Sequence, residues 1–326
     1  MSEVIRVRAP SRLHFGLFTP GHAGTWPGVE GRAAVPARGF GGVGLMVRDP
    51  GVTVAVRPAP AWSAEGPLAE RALAFARRCG AAPCQLVVER AAPEHVGLGT
   101  GTQLGLAVAR AVLLATAGEA PDAVTLSRLA GRGERSALGV HGFQSGGFLV
   151  EGGKARPDEL SPLVARVDFP RQWKIVLAVP RGLQGRHGAA ESQVFDPAGE
   201  PGDLAHTDAM CRLVLLGMLP ALHQQDLRAF GAALSDFNRR AGELFRPYQG
   251  GVYAHPRIAE VVESLHRLGA PGVGQSSWGP AAFAVVEGDR ADWMVHRMSA
   301  ESTEVFVTEA DNCGATSQTR SPEAHG

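Results

Sequence analysis

Apolar and polar residues exchange with two different periods along this chain, and the changes mark out short strands and helices in turn. Residues 4–8 alternate apolar with basic and predict a strand with one buried face. Residues 11–18, beyond Pro10, predict a second short strand. Residues 52–56 and 85–89 predict two more. Leu68, Ala72, Phe75 and Ala76 fall on one stripe, so residues 68–79 predict an amphipathic helix. Residues 102–117 have little polar surface and predict a buried helix; residues 125–135 predict another, and residues 146–151 a strand between glycines. Residues 173–179 form a continuous apolar strand suited to a sheet covered on both faces or nearly so. Helical patterns follow at 207–223, 226–240 and 257–268, then a Gly/Ser loop at 272–279, a strand at 281–286, a helix at 291–300 and a strand at 304–307. Separated strands and helices without an internal repeat predict an α+β fold. Charge and proline rise at 157–170, which gives a first domain over 1–165, a second over 166–314 and a polar tail over 315–326, expected to be disordered. Residues 20–44 are rich in Gly and Pro and predict a long loop, a candidate lid.

Composition narrows the function more by exclusion than by assertion. Lys plus Arg (32) equal Asp plus Glu (32), so no net charge favours nucleic acid or an acidic membrane, while a local cationic pocket stays open. No apolar run approaches membrane-spanning length and the N-terminus lacks the apolar core of a signal peptide, so a cytoplasmic location is expected. Cys79, Cys84, Cys211 and Cys313 include no C-x-x-C pair and have no histidine cluster beside them; reduced thiols are expected, with neither a zinc site nor a disulfide framework.

Four segments carry candidate chemistry. Residues 93–103 (PEHVGLGTGTQ) place Gly97, Gly99 and Gly101 with Thr100 and Thr102 just ahead of the buried helix. Glycines admit a ligand close to the backbone, and the helix N-terminus adds N–H donors and partial positive charge, a combination suited to a phosphate or diphosphate. A plain helix entry with Thr100 or Thr102 as its cap is the alternative. The spacing is neither a Walker A loop nor a dinucleotide-binding fingerprint. Residues 272–280 (GVGQSSWGP) join glycines to Gln275, Ser276, Ser277 and Trp278, a loop able to close on a ring or sugar, or simply a tryptophan core anchor. Arg132 and Arg135 flank Glu134 ahead of His141, which offers cations and an acid–base group, or an ordinary solvated helix end. Arg12 and His14 share one side of an extended segment, as pocket residues or as a buried, satisfied histidine beside an arginine.

The order of these segments resembles the GHMP kinase superfamily. The wording SRLHFGL (11–17), FGGVGLM (40–46), GLGTGTQLGLAVA (97–109), GRGERSALGV (131–140), GGFLVEGG (146–153) and GQSSWGP (274–280) is similar to the β-ribofuranosylaminobenzene 5'-phosphate synthase family. The resemblance runs from about residue 4 to residue 310. It implies an N-terminal domain like ribosomal protein S5 domain 2, a ferredoxin-like C-terminal domain and a site between them. It also implies a reaction: phosphoribosyl pyrophosphate and 4-aminobenzoate or 4-hydroxybenzoate give a C-riboside 5'-phosphate, CO2 and pyrophosphate, with magnesium, in tetrahydromethanopterin synthesis. Gly97, Gly99, Thr100, Gly101, Thr102, Arg132 and Arg135 would then bind phosphate or pyrophosphate. His14, His141 and Arg12 would be catalytic, and Gln275, Ser276, Ser277 and Trp278 would line the aryl or sugar pocket. In many GHMP kinases the segment aligned with 137–141 carries an Asp that activates the acceptor hydroxyl; this chain has none there, which removes a general base for phosphoryl transfer. Metal ligands are left unassigned: residues 19–38 hold only Glu30 as an acid, and Asp49 is the nearest alternative. The rivals are an ATP-dependent small-molecule kinase and a non-catalytic phosphometabolite binder; a homodimer is left open.

Overall fold

The computed structural model describes residues 3–18, 38–156, 158–185, 204–299 and 302–320. Its first strand, β1 (Val4–Leu17), is continuous where the sequence predicts two, and it pairs antiparallel with β2 (Gly42–Pro58). Pro10 falls at a register shift between Ala9 and Ser11, so its missing N–H costs the ladder little and the strand continues. A second shift lies between His14 and Gly16. β3 (Ser63–Glu65) runs parallel to β4 (Cys84–Arg90), which pairs antiparallel with β2. β5 (Phe148–Glu151) pairs with the other end of β2, and β6 (Leu163–Val167) pairs with β5. The first sheet therefore extends past residue 165.

The second sheet is wholly antiparallel. It contains β7 (Trp173–Pro180), β8 (Gly272–Gln275), β9 (Ala282–Glu287) and β10 (Thr303–Thr308), in the order β10-β7-β9-β8. With its intervening helices this is the ferredoxin-like arrangement. Gly272–Gln275, expected as loop, is strand; the turn is confined to the residues after it. The polar tail is corrected as well. Thr316–Arg320 form β11, antiparallel to β1 with Val4 opposite Arg320, and seven strands share the first sheet. All five residues of Thr316–Arg320 are polar and exposed, and on an edge strand a polar sequence is no obstacle to strand pairing.

The helices of the first half are α1 (Ala69–Arg77), α2 (Thr100–Ala117), α3 (Ala123–Ala130) and α4 (Leu138–Ser145). The helix expected over 125–135 stops at Ala130, because Gly131 adopts a left-handed cap with φ +62°. In the second half, α5 (Leu204–Arg212) passes through a π-helical turn (Leu213–Met218) into α6 (Leu219–Gln224). α7 (Leu227–Gln249) starts on an Asp226 cap to the Ala229 N–H at 2.9 Å and runs nine residues beyond its expected end at 240; α8 (Pro256–Arg267) and α9 (Gly288–Met298) complete the set.

Two cores decide where a ligand can go. One lies between the first sheet and α1–α3, with Val7, Val54, Leu86, Phe75, Leu104 and Leu126. The other joins both sheets: Leu13, Phe15, Leu45 and Phe148 meet Trp173, Phe230, Phe237 and Phe283. Phe15 and Phe283 rings lie 5.0 Å apart, and Phe148 and Phe230 5.9 Å. The shared core locks the two sheets together beneath the cleft between them. α2 is long and apolar enough, by length and composition, to cross a membrane; here it is a core helix packed on β1 and β2.

Candidate functional site

The two Gly-rich turns meet. Gly97 (φ +90°) and Gly99 (φ +70°) are both left-handed, and a Cβ at Gly97 would stand 2.2 Å from the Ser276 carbonyl oxygen. The Ser276 hydroxyl donates to the Gly97 carbonyl (2.7 Å) and accepts the His14 N–H (3.0 Å). Ala281 N–H donates to the Val96 carbonyl at 3.0 Å, Ser277 N–H to the His14 carbonyl at 2.9 Å, and Arg12 N–H to the Leu98 carbonyl at 2.9 Å. β1 thus runs between the turns and is pinned to both. Asn238 of α7 adds a third tie, its amide donating to the carbonyls of Phe15 (2.7 Å) and Gln275 (2.8 Å).

Over this seam opens a cavity of about 620 Å³. Its floor is the start of α2: Gly99 caps the helix with no side-chain acceptor, and Gly99, Thr100, Gly101 and Thr102 all line the space. The N–H groups of Thr100 and Gly101 are therefore offered to a ligand, while that of Thr102 is taken by the Gly99 carbonyl at 3.0 Å. Thr100 is present through its backbone, since its hydroxyl donates to the Pro93 carbonyl at 2.9 Å.

Four arginines line the same cavity: Arg12, Arg71, Arg132 and Arg135. Gly101 makes room for one of them, because a Cβ there would be 2.5 Å from an Arg71 guanidinium nitrogen. Arg132 lies 5.1 Å over the Phe75 ring, and its buried Nε has no hydrogen-bond partner among the described residues. Burial first, and then the like charges of Arg71 and Arg78, lower the Arg132 pKa. A cation cluster held together against its own repulsion is suited to an anion with several charges. Glu94, ion-paired with Arg71, and Glu134 are the carboxylates on the wall. The lining also holds aromatic rings: Phe245 and Trp278 meet at 4.7 Å and 60°, and Tyr253 is a further lining residue. Burial raises the Tyr253 pKa, so its hydroxyl stays protonated at neutral pH.

His14 lines the cavity and is 6% exposed; burial, followed by the charge of Arg12, holds its pKa well below the ordinary histidine value, so the ring is neutral. His141 is not brought in. Its ring lies 2.7 Å from the Ser161 carbonyl, outside the cavity wall, where it fastens α4 to the chain leading into β6. Ser276 is the fully buried clamp behind the seam, and Gln275 faces the cavity with its amide engaged by Ala254 N–H and the Ser277 carbonyl. Asp49 is remote: it pairs with Arg90 (2.9 Å) and Arg8 (3.7 Å), and does not line the cavity. Glu30 lies outside the described residues.

Sequence reading missed Arg71, Phe245, Tyr253 and Glu151. Arg71 and Phe245 sit on amphipathic helices, where nothing local distinguishes them from surface and core residues. Glu151 did carry a signal, an acid closing an otherwise apolar strand. It is fully buried, accepts the Ser136 hydroxyl and the Ala137 N–H at 2.6 Å each, and burial pushes its pKa up to about 7.

The GHMP kinases N terminal domain family matches residues 67–148, and the GHMP kinases C terminal family residues 218–302. The beta-ribofuranosylphenol 5'-phosphate synthase of Archaeoglobus fulgidus is 32% identical, over 87% of this chain and 88% of its own. That of Methanothermobacter thermautotrophicus is 30% identical, over 86% and 88%. Homoserine kinase from Cytophaga hutchinsonii shares the fold with a TM-score of 0.65 at 16% identity, covering 98% of each chain. A likeness of this identity, carried over most of both chains, places the chain in the beta-ribofuranosylphenol 5'-phosphate synthase family, on the GHMP kinase fold.

Proposed function

We propose that this enzyme condenses phosphoribosyl pyrophosphate with a para-substituted benzoate, releasing CO2 and pyrophosphate, as a cytoplasmic step of tetrahydromethanopterin synthesis. The observation that carries the proposal is that one cavity is lined both by a cationic set, Gly97–Thr102 with the four arginines, and by an aromatic set, Phe245, Tyr253 and Trp278. A diphosphorylated sugar and a flat acid are complementary to those two sets. Of the two acceptors, 4-hydroxybenzoate is favoured, because the named product of the family relatives is a phenol.

The chemistry follows from what the wall offers. Donors at the start of α2 and the guanidiniums stabilise charge growing on departing pyrophosphate, an interaction strongest in the transition state. The ring carbon bearing the carboxylate forms the new bond to C1 of the ribose as the C1–O bond to pyrophosphate breaks. His14, neutral and facing the cavity, can hold the proton of the para hydroxyl while the ring is dearomatised. Loss of CO2 leaves its bonding electron pair in the ring, and the proton returns. Among the described residues no three His, Cys, Asp or Glu side chains cluster as a metal site. Magnesium would need no such cluster: Glu94 and Glu134, the carboxylates on the wall, are the residues that would hold it beside the diphosphate, where it would supply charge neutralisation. Phosphoryl transfer from ATP is disfavoured by His141, which stands in the segment where kinases of this fold carry their acid and is bound to Ser161 instead.

The test is incubation with magnesium, phosphoribosyl pyrophosphate and carboxyl-labelled 4-hydroxybenzoate or 4-aminobenzoate. Labelled CO2 with stoichiometric pyrophosphate is expected, larger for the hydroxy acid. Tight binding of both substrates without turnover would establish the non-catalytic alternative.

A further inference from the structure

We propose that Ser136 recognises a hydroxyl of the bound substrate, and that buried Glu151 behind it fixes the direction in which the Ser136 hydroxyl points. The inference rests on the reading that this cavity takes a phosphorylated sugar and an aryl acid.

Ser136 lines the cavity next to Arg135. Its hydroxyl donates to one oxygen of Glu151 at 2.6 Å, while the Ala137 N–H donates to the other at 2.6 Å. An ionised carboxylate only accepts, so the single proton of Ser136 is committed inward; the Leu138 N–H takes one of its lone pairs in a long contact of 3.4 Å, and the other is left for the cavity. In that state Ser136 accepts a hydrogen bond from a substrate O–H and repels a phosphate or carboxylate oxygen. The four guanidiniums do the reverse, since they only donate. The wall therefore reads acceptor atoms with arginine and a donor atom with Ser136. Placement beside Arg12, Arg132 and Arg135 favours a ribose hydroxyl as that donor, with the para hydroxyl of the acceptor as the other source.

The groups around Glu151 come from every element packed on it. Arg12 of β1 and Lys154, just beyond β5, supply positive charge. The Ser161 hydroxyl faces the carboxylate outside hydrogen-bond geometry. Lys154 also donates to the Glu134 carbonyl, so the segment 134–137 is held from two sides. Despite these partners, burial dominates and the carboxyl titrates near neutrality, at about 7.

Protonation has a definite geometric consequence. The Ala137 N–H can only donate, so it keeps one carboxyl oxygen as its acceptor. The new O–H must then lie on the other oxygen and donate to Ser136, whose own proton turns out into the cavity. Glu151→Gln imposes the same state permanently: the amide oxygen takes the Ala137 N–H and the amide nitrogen donates to Ser136. Acid and E151Q should both convert Ser136 from acceptor to donor, an effect that a merely structural glutamate would not produce. Glu151 acts through Ser136 and is a positioning residue.

The experiment is calorimetric titration of the full chain at pH 8 and pH 6 with two ligand sets whose second members accept but cannot donate: ribose 5-phosphate against its 2-O-methyl and 3-O-methyl ethers, and 4-hydroxybenzoate against 4-methoxybenzoate. Wild type should prefer the hydroxylated member of one set by about five-fold at pH 8, the worth of one neutral hydrogen bond, and less at pH 6. Phosphate ionisation is common to the sugars and cancels in the ratio. The set showing the preference identifies the source of the hydroxyl. E151Q should lose the preference at both pH values, and S136A should lose it with folding intact, which keeps the test open if E151Q is unstable. A preference that survives S136A, or that still varies with pH in a folded E151Q, overturns the inference alone. A wild-type protein that binds no member of either set overturns the parent reading and this inference with it.

Discussion

Gly97→Ala should separate the two turns, and its cost can be worked from their contact. The new Cβ would stand 2.2 Å from the Ser276 carbonyl oxygen, and no side chain can rotate to relieve a clash with backbone. Ordinary contact requires the turns to part by about 1 Å. That movement breaks the Ser276 hydroxyl bond to the Gly97 carbonyl and the Ala281 N–H bond to the Val96 carbonyl, at about 1 kcal/mol each. Holding Ala at φ +90° adds about 1–2 kcal/mol. The sum is about 3–4 kcal/mol. Gly80→Ala is the control: Gly80 has φ +64° with nothing within 4 Å of its would-be Cβ, so it carries the conformational cost of about 1 kcal/mol alone. Urea unfolding of both variants measures the difference, and titration with pyrophosphate measures whether the α2 entry still binds; the Gly97 variant should lose about ten-fold or more in affinity. Equal unfolding free energies for the two variants, with unchanged pyrophosphate affinity, would refute the claim that the seam holds the site together.

Arg132→Met should bind pyrophosphate about ten-fold more weakly, read by calorimetry, while gaining thermal stability, because it removes a partly buried cation that Arg71 and Arg78 repel. Glu151 should make folding pH-dependent: its carboxyl is raised from 4.5 to about 7, so the stability it contributes is full below about pH 4.5 and lost as pH rises through about 7. The loss is about 3 kcal/mol, and urea midpoints at pH 5 and pH 8 should differ in wild type by more than in E151Q. Phe245→Leu should raise KM for the benzoate several-fold while leaving KM for phosphoribosyl pyrophosphate unchanged, because Phe245, 4.7 Å from Trp278, belongs to the aromatic set; a parallel rise in both would mean the ligands do not divide between the two sets.

Local pattern carried much of this architecture, and long-range contact carried the rest. The buried α2 and the Gly-rich turn before it were legible, because both signals are contiguous. So was the apolar strand at 173–179, which is β7 but for its last residue. Pro10 misled, since a register shift inside a paired strand has no single-residue signature, and the expected break between 8 and 11 is continuous β1. Gly131 was readable as a stop and was passed over in favour of the arginines beyond it, which hid α4 and with it the fact that His141 points at Ser161. Arg71 could not be read at all: its value comes from α1 lying beside the entry to α2, a tertiary fact. Ser276 was picked out for the right neighbourhood and the wrong task, because hydroxyls in a Gly-rich turn serve ligand and backbone equally well, and only the Gly97 carbonyl at 2.7 Å decides between them.

Strand β11 joins β1 from the opposite extreme of the described chain, and the core under the cleft draws side chains from both sheets. Severing the chain between β6 and β7 would therefore not release two independent folding units. The first piece would carry a bare β1 edge and half an aromatic stack; the second would carry a strand with no sheet to join. During synthesis the first sheet must wait, with that edge uncovered, until the ribosome has translated nearly three hundred further residues. Chaperone dependence of the nascent chain, and recovery of activity only when both pieces are co-expressed, are the cellular correlates of that late closure.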